Sequence, residues 1–254
     1  PLPYKRFQIG KAWRAEKPQK GRFREFSQCD FDIVGADHFS SDIEVVSLLF
    51  ALFEEHVKLP FTVRVGYRQL VSCVIEKIYG ELSSSDEERI LINLDKIDKI
   101  GEQKVCFLIA EETKTEESKA KHLLATLVSK KCHKDQISKL RIFLEGNSEA
   151  FEHLDRLEKT LDILSVVCKK NYGKLNLDFS IVRGLAYYTG IVFETNLDGF
   201  PDLGSVCSGG RYDNLCDRFL KDSLSGIGGS FGLDRLVSVL IESGFSFEHE
   251  NKPV

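Results

Sequence analysis

The sequence has 254 residues, of which 42% are hydrophobic and 29% are charged, and its formal net charge is -4. This balance is typical of a folded globular protein and excludes a disordered or fibrous chain. An acidic chain does not bind nucleic acid through its overall charge, so any RNA contact must be local. The longest apolar run, at 45–53, is much shorter than the roughly 20 residues that cross a bilayer, so we expect no membrane role.

The cysteine pattern bears on metal binding and on the cellular compartment. The seven cysteines form no C-x-x-C pair and are odd in number, which argues against a zinc ribbon and against a disulfide framework. We therefore expect no metal site and a reducing cytoplasm. The chain starts without a signal peptide and without an initiator methionine, so we expect it to be an internal part of a longer protein.

Two strands are predicted at the start of the chain. Apolar residues alternate with polar ones over 7–13 and again over 26–34. The intervening residues 14–24 are polar and basic, which predicts a long hairpin loop.

Helices and strands then alternate. Ser41 precedes Glu44 at the spacing of a capping box, which predicts the start of a helix that ends near His56. A short strand is predicted over 61–65, and a helix over 69–79 ends at a glycine.

The composition changes over 81–150, where Lys, Glu, Ser and Asp are frequent and apolar residues recur at helical spacing. This segment is predicted to be a helical insertion. Another helical stripe covers 154–167. The later elements are predicted as strands at 175–182, 191–194 and 204–210 and as a final helix from about Gly232.

Four segments carry residues suited to chemistry. The first, 14–35, places five basic residues in the predicted hairpin loop: Arg14, Lys17, Lys20, Arg22 and Arg24. Arginine forks bind phosphate oxygens, which favours a triphosphate site. Charge alone favours the alternative, a solvated hairpin tip.

The other three segments contain arginine beside glycine. In 181–194, Arg183 lies within an apolar strand region and needs a partner, which is either a ligand or a structural ion pair. The segment 207–215 reads CSGGRYDNL, and its paired glycines permit close backbone approach. The segment 226–236 reads GIGGSFGLDRL and lacks the glycine order of a dinucleotide-binding fingerprint.

Together the four segments resemble a known family. Arg14-Ala15-Glu16, with the basic loop and Phe26, resembles motif 2 of the class II aminoacyl-tRNA synthetases, and 228–235 resembles their motif 3. RGLAYYTG and SGGRYDNL resemble the two signatures of the histidine–tRNA ligases in that class. The motifs occur in the family's order and span nearly the whole chain.

The resemblance implies an α+β fold, with a class II antiparallel sheet flanked by helices. Residues 1–80 and 151–254 then form the catalytic core, and 81–150 form the helical insertion. The motif 1 part of the core would precede Pro1 and is missing. The anticodon-binding domain would follow Val254 and is absent.

The implied activity is histidine–tRNA ligase: ATP-dependent activation of histidine to histidyl-adenylate and transfer to tRNA(His). The implied partners are histidine, ATP with Mg²⁺, tRNA(His) and, in the full-length protein, a second copy in a homodimer. The alternative is a non-catalytic paralogue of the same fold, such as the regulatory subunit of ATP phosphoribosyltransferase. Such paralogues lose parts of the ATP site, whereas the motif arginines are in place here.

The resemblance also implies roles at the ATP end. Arg14 matches the arginine that binds the α-phosphate, and Arg183 matches the catalytic arginine on the opposite side of that phosphate. Arg235 matches the arginine that reaches the triphosphate and adenine. The remaining ATP contacts implied are the stacking ring of Phe26 and the polar groups of Glu16 and Arg22.

Histidine recognition is implied at a second set of positions. An imidazole is best read by one partner at each nitrogen, ideally a carboxylate and a phenol. Asp32 and Tyr188 match the family positions that do this, although some members have Glu in place of Asp32. Ala186 replaces an Asp found in many relatives. The other implied histidine-binding residues are Gln28, Arg183, Tyr187 and Tyr212.

Overall fold

A computed structural model describes residues 2–15, 23–128, 132–182, 187–215, 217 and 223–244. Within these residues, helices pack against one seven-stranded sheet. The α+β class predicted from the sequence is confirmed.

The sheet brings the two ends of the chain together. Its strands are β1 (Tyr4–Trp13), β2 (Glu25–Val34), β3 (Phe61–Tyr67), β4 (Leu175–Leu177), β5 (Ile191–Leu197), β6 (Ser205–Tyr212) and β7 (Gly226–Gly232). They lie in the order β1-β2-β7-β6-β5-β3-β4, and each neighbouring pair is antiparallel except β3 and β4. The early hairpin β1-β2 therefore pairs directly with the late strand β7.

The helices follow the predicted order. They are α1 (Ser40–Leu52), α2 (Arg68–Tyr79), α3 (Ser84–Leu94), α4 (Ile97–Ile100), α5 (Glu102–Thr113), α6 (Glu117–Leu127), α7 (His133–Phe143), α8 (Ser148–Val167) and α9 (Leu233–Glu242). A π-helical turn at Phe53–Val57 extends α1, and 3-10 turns lie at Tyr172–Lys174 and Pro201–Leu203.

The two faces of the sheet differ in chemistry because side chains alternate along each strand. On β2, Phe31 and Ile33 are buried on one face. The ring of Phe53, in the turn after α1, lies 5.2 Å from that of Phe61 on β3 and 6.1 Å from that of Phe231 on β7. This face is the hydrophobic core, and the polar even-numbered residues of β2 project from the other.

The helices of 84–143 continue this core. Helix α5 packs on α3 and α6, α6 packs on α2, and α7 packs on α8. Their buried residues join the same hydrophobic cluster as the sheet. The helical character predicted for 81–150 is confirmed, whereas its division from a core at 1–80 and 151–254 stays a prediction.

Two local predictions were wrong. Ser41 does not cap α1: its hydroxyl donates to the carbonyl of His38 at 2.8 Å and accepts from the guanidinium of Arg211 at 2.7 Å. The strand predicted over 175–182 ends at Leu177. The carboxylate of Asp178 accepts hydrogen bonds from the Ser180 N–H at 2.9 Å and from its hydroxyl, and this local turn replaces strand geometry.

Candidate active site

Two adjacent glycines form the floor of the candidate site. Gly228 on β7 pairs with Gly210 on β6, and both lie on the polar face of the sheet. A Cβ at Gly228 would overlap the carboxylate of Asp32, and a Cβ at Gly210 would lie 2.9 Å from the ring of Tyr188. Both side chains therefore occupy space that only glycine leaves open, and they lie over neighbouring strands.

Asp32 has a partner at each carboxylate oxygen. The hydroxyl of Tyr212 donates to Oδ1 at 2.8 Å, and Nε of Arg6 lies 3.3 Å from Oδ2. Arg6 is the cross-strand neighbour of Asp32 on β1, while Tyr212 reaches over from β6. Three separate strands thus converge on one carboxylate.

Tyr188 and Tyr187 lie beside this carboxylate. Their ring centroids are 4.4 Å apart, and Tyr187 is 41% exposed whereas Tyr188 is half-buried. Burial raises the pKa of the Tyr188 phenol, and the neighbouring Tyr187 hydroxyl and Asp32 charge raise it further. Tyr188 therefore stays protonated at neutral pH and keeps a hydrogen-bond donor.

Gln28 and Phe26 extend the same face of β2. The amide nitrogen of Gln28 donates to the hydroxyl of Ser230 on β7 at 2.7 Å. Phe26, Gln28 and Asp32 are separated by even numbers of residues, so their side chains share a face. From Phe26 to Asp32 the strand spans about 20 Å, which makes the site an elongated groove.

Arg14 lies at the Phe26 end of this groove. Its guanidinium carbon is 4.7 Å from the centroid of the Phe26 ring, a cation–π contact. Its backbone N–H donates to the carbonyl of Arg24 at 2.8 Å and closes the last described pair of the hairpin. Glu16, Arg22 and the catalytic candidate Arg183 lie outside the described residues, as does Ala186.

Arg235 is placed by the first turn of α9. Its Nη1 donates to the carbonyl of Ser205 at 2.9 Å, and the adjacent Asp234 accepts a hydrogen bond from the N–H of Ser27. These bonds fix the start of α9 against β2 and β6. Because α9 begins directly after Gly232, which pairs with Gln28, Arg235 lies near the Phe26 end of the groove.

The sequence prediction missed a buried ion pair beneath the site. Arg211 on β6 is 1% exposed, and its Nη2 lies 2.6 Å from Oδ1 of Asp42 on α1. Nη1 donates to the carbonyl of Ala36 at 3.1 Å. A charged residue inside a strand with buried neighbours needs a partner, so the sequence could have indicated that Arg211 is paired. No neighbouring residue in the sequence identified Asp42 as that partner.

The two predicted histidine signatures are joined by a reciprocal clamp. The N–H of Thr189 donates to the carbonyl of Arg211 at 2.8 Å, and the N–H of Asp213 donates to the hydroxyl of Thr189 at 3.0 Å. The Thr189 hydroxyl in turn donates to the Asp213 carboxylate. This clamp fixes the chain that carries Tyr188 onto the strand that carries Tyr212.

Arg64 is the centre of an ion-pair cluster on the polar face, which the sequence analysis also did not predict. Its Nε and Nη2 bind Asp178 at 2.9 and 2.6 Å, Nη1 binds Glu194 at 2.7 Å, and Nη2 lies 2.8 Å from Asp98 on α4. Burial opposes the guanidinium charge, but these carboxylates outweigh it and raise the pKa of Arg64. The cluster ties the helical segment to β3 and β5.

The comparison with protein families decides the membership of the chain. The model described as histidyl-tRNA synthetase matches residues 1–236. The chain belongs to the histidyl-tRNA synthetase family. The groove described above therefore lies in the region that this family shares.

One curated relative and one solved structure of the same family also match the chain. The histidine–tRNA ligase of Wolinella succinogenes is 38% identical over 246 residues, which cover 96% of this chain and 54% of that protein. The crystal structure of histidyl-tRNA synthetase from Nostoc sp. PCC 7120 matches with a TM-score of 0.85 at 27% identity, over 97% of this chain and 56% of that one. The chain spans about half the length of the curated relatives it matches.

A third likeness concerns the fold alone. A Bacillus halodurans protein described as an ATP phosphoribosyltransferase regulatory subunit/histidyl-tRNA synthetase matches with a TM-score of 0.74 at 23% identity, over 94% of this chain and 59% of that one.

Among the described residues, no helix has the length and apolar character needed to span a bilayer. That same part of the chain contains no group of three or more His, Cys, Asp or Glu arranged to hold a metal ion.

Proposed function

We propose that the chain is the catalytic core of a histidine–tRNA ligase. It binds histidine and ATP in the groove along β2 and forms histidyl-adenylate, and the full-length protein transfers the histidyl group to tRNA(His). The observation that carries the proposal is the carboxylate of Asp32, held by Tyr212 beside Tyr188 at one end of a groove that has Phe26 and Arg14 at the other.

The Asp32 end suits an imidazole. A neutral imidazole donates from one nitrogen and accepts at the other. Asp32 is the acceptor, and the phenol of Tyr188, which remains protonated, is the donor. Tyr187 and Tyr212 complete the walls, and Gln28 is placed between this end and Phe26 for the amino and carboxylate groups of the amino acid.

The opposite end suits a nucleotide. The Phe26 ring stacks with adenine, and Arg14 and Arg235 approach the phosphates from just after β1 and from α9. Glu16 and Arg22 of the basic loop add polar contacts to ATP. ATP enters with Mg²⁺, which neutralises part of the triphosphate charge.

The chemistry is one displacement at phosphorus. A carboxylate oxygen of histidine attacks the α-phosphorus, the bond to the bridging oxygen breaks, and pyrophosphate leaves with the electron pair. Negative charge grows on the phosphate oxygens in the transition state, and fixed cations stabilise it. Arg14 and Arg183 are the proposed catalytic residues on two sides of the α-phosphate, with Arg183 also contacting the histidine carboxylate.

Histidine-dependent exchange of pyrophosphate into ATP tests the proposal. Arg183→Ala and Arg14→Ala should each reduce exchange by about 100-fold or more, since each removes a charged group from the transition state. Arg89→Ala, at an exposed site on α3, is the matched control and should leave exchange unchanged. Wild-type exchange that does not depend on histidine would contradict the proposal.

The second candidate is a non-catalytic regulatory paralogue, the alternative with the same fold. A regulatory paralogue would bind histidine without catalysing exchange. Calorimetric binding of histidine, measured with the exchange assay on the same preparation, separates the two functions.

The assembly and the location are further proposals. The exposed apolar residues Phe7, Ile9 and Trp13 on the edge strand β1 support a homodimer of the full-length protein. The free thiols of the described cysteines support a reducing cytoplasm. Analytical ultracentrifugation of the full-length protein tests the dimer.

A further inference from the structure

Arg6 is a cation of the site that no motif includes. It lies on β1 directly opposite Asp32, and its Nε is 3.3 Å from Oδ2 of that carboxylate. Its side chain is 39% exposed, and that of Asp32 is 21% exposed. The pair therefore lies at the rim of the groove, close enough to solvent for a ligand to approach the carboxylate.

Asp32 keeps acceptor capacity after these contacts. A carboxylate offers about four lone-pair positions, and the known partners are Arg6 at Oδ2 and the Tyr212 hydroxyl at Oδ1. The carboxylate extends over Gly228, which has no side chain there. A ring N–H of a ligand can thus bind Asp32 while Arg6 stays in place.

The charge of Asp32 is offset by a neighbouring cation. From β1 the facing group is the guanidinium of Arg6, and from β6 it is the Tyr212 hydroxyl, which donates to Asp32. From the loop before β5 it is the protonated phenol of Tyr188. The facing residue on β7 is Gly228, and on β2 itself the next ionisable group is Asp30. Among the described residues, Arg6 is thus the cation that contacts the Asp32 carboxylate.

We propose that Arg6 is a specificity-determining residue, which holds one oxygen of Asp32 and offsets its charge so that the pocket selects the neutral imidazole over the imidazolium. This inference rests on the proposed function of the site. Without Arg6, an imidazolium would meet an uncompensated carboxylate and would bind more strongly. With Arg6, the imidazolium also meets a guanidinium of like charge.

The consequence is a dependence of histidine binding on pH. An imidazole has a pKa near 6.5, so about one tenth of the ligand is neutral at pH 5.5 and about nine tenths at pH 7.5. The wild-type chain should therefore bind histidine about tenfold more weakly at pH 5.5. In Arg6→Gln, this ratio of dissociation constants should fall by about two- to fivefold, the effect of a partly exposed ion pair.

The experiment is isothermal titration calorimetry of L-histidine at the two pH values, repeated in buffers of different ionisation enthalpy to count released protons. Arg6→Gln should release fewer protons at pH 5.5 than wild type. Arg6→Lys, which keeps the positive charge, should restore the wild-type ratio. Lys5→Gln is the matched control, because Lys5 is the adjacent β1 cation but pairs with Glu44 on the other face.

The outcomes separate this inference from the function on which it rests. Equal pH profiles for wild type and Arg6→Gln would overturn the role of Arg6 while leaving histidine binding intact. An altered profile in Lys5→Gln of the same size would also overturn it, because the effect would then be one of general surface charge. A wild-type chain that binds no histidine at either pH would overturn the proposed function and this inference with it.

Discussion

The guanidinium of Arg211 and the carboxylate of Asp42 form an ion pair of 2.6 Å in which both side chains are almost completely buried. The pair joins β6 to α1. It lies directly beneath Tyr212, because successive residues of a strand point to opposite faces. The position of Tyr212 over Asp32 therefore depends on a contact on the opposite side of the sheet.

Removing either partner should destabilise the fold strongly. We expect Asp42→Ala to lower the free energy of unfolding by about 3–5 kcal/mol, because the buried guanidinium of Arg211 loses the closer of its two described carboxylate partners, Asp42 and Asp213. Urea denaturation followed by circular dichroism measures this. Lys5→Ala breaks the exposed pair with Glu44 and should cost less than about 1 kcal/mol. Equal losses in the two variants would show that the buried pair has no special role.

The floor of the site should accept only glycine. Gly228→Ala must displace the carboxylate of Asp32, and Gly210→Ala must displace the ring of Tyr188. We expect Gly228→Ala to weaken histidine binding by about 10- to 100-fold, the range for a lost hydrogen bond to a charged group, and Gly210→Ala by about 2- to 10-fold, the range for a lost neutral hydrogen bond. Gly173→Ala, at a position with open space, is the control in the same calorimetric titration. Unchanged affinity in Gly228→Ala would remove Asp32 from histidine recognition.

His133 should make stability depend on pH. Its ring accepts a hydrogen bond from the N–H of Leu177 at 3.3 Å, and burial lowers its pKa. Stability from the neutral ring is complete above the unfolded pKa of about 6.5 and declines as the pH falls toward the lower folded value.

Urea unfolding at pH 7.5 and 5.5 tests this prediction. His133→Gln should lose part of the difference in unfolding free energy between the two pH values. Burial also lowers the pKa of His153. This residue should supply another part of the difference in unfolding free energy between the two pH values. The exposed His56→Gln is the control and should behave as wild type. An identical pH dependence in His133→Gln would contradict the prediction.

Trp13 should report nucleotide binding. It is the single tryptophan of the sequence, it precedes Arg14, and its Nε1 donates to Glu25 at 3.1 Å. ATP bound between Arg14 and Phe26 should change its fluorescence. Arg14→Ala should weaken the fluorescence-detected ATP affinity by about tenfold or more, since a charge-assisted phosphate contact is lost. Arg89→Ala should give the wild-type titration curve.

Local periodicity explains how much of the fold was predictable. The alternation in β1 and β2 and the helical stripe of α8 depend on neighbours in sequence, and all three elements were predicted. The shared face of Phe26, Gln28 and Asp32 follows from the same period of two.

Long-range partners account for what could not be predicted. Asp42 lies 169 residues from Arg211, so neither residue identifies the other in the sequence. The same applies to Arg6, whose role depends on the register of β1 against β2. At Ser41, the local capping pattern gave way to a hydrogen bond with Arg211, because satisfying a buried guanidinium outweighs a cap.

The pairing of β2 with β7 also limits when the site can form. The β1-β2 hairpin is synthesised before β7, and its inner edge stays unpaired until about 200 further residues have emerged. Contacts of such sequence separation form slowly, and an open strand edge is a template for aggregation in the meantime. The groove that the site needs can thus form only after β7 has emerged, and a chain that stops before Gly226 lacks β7 and leaves the inner edge of β2 exposed.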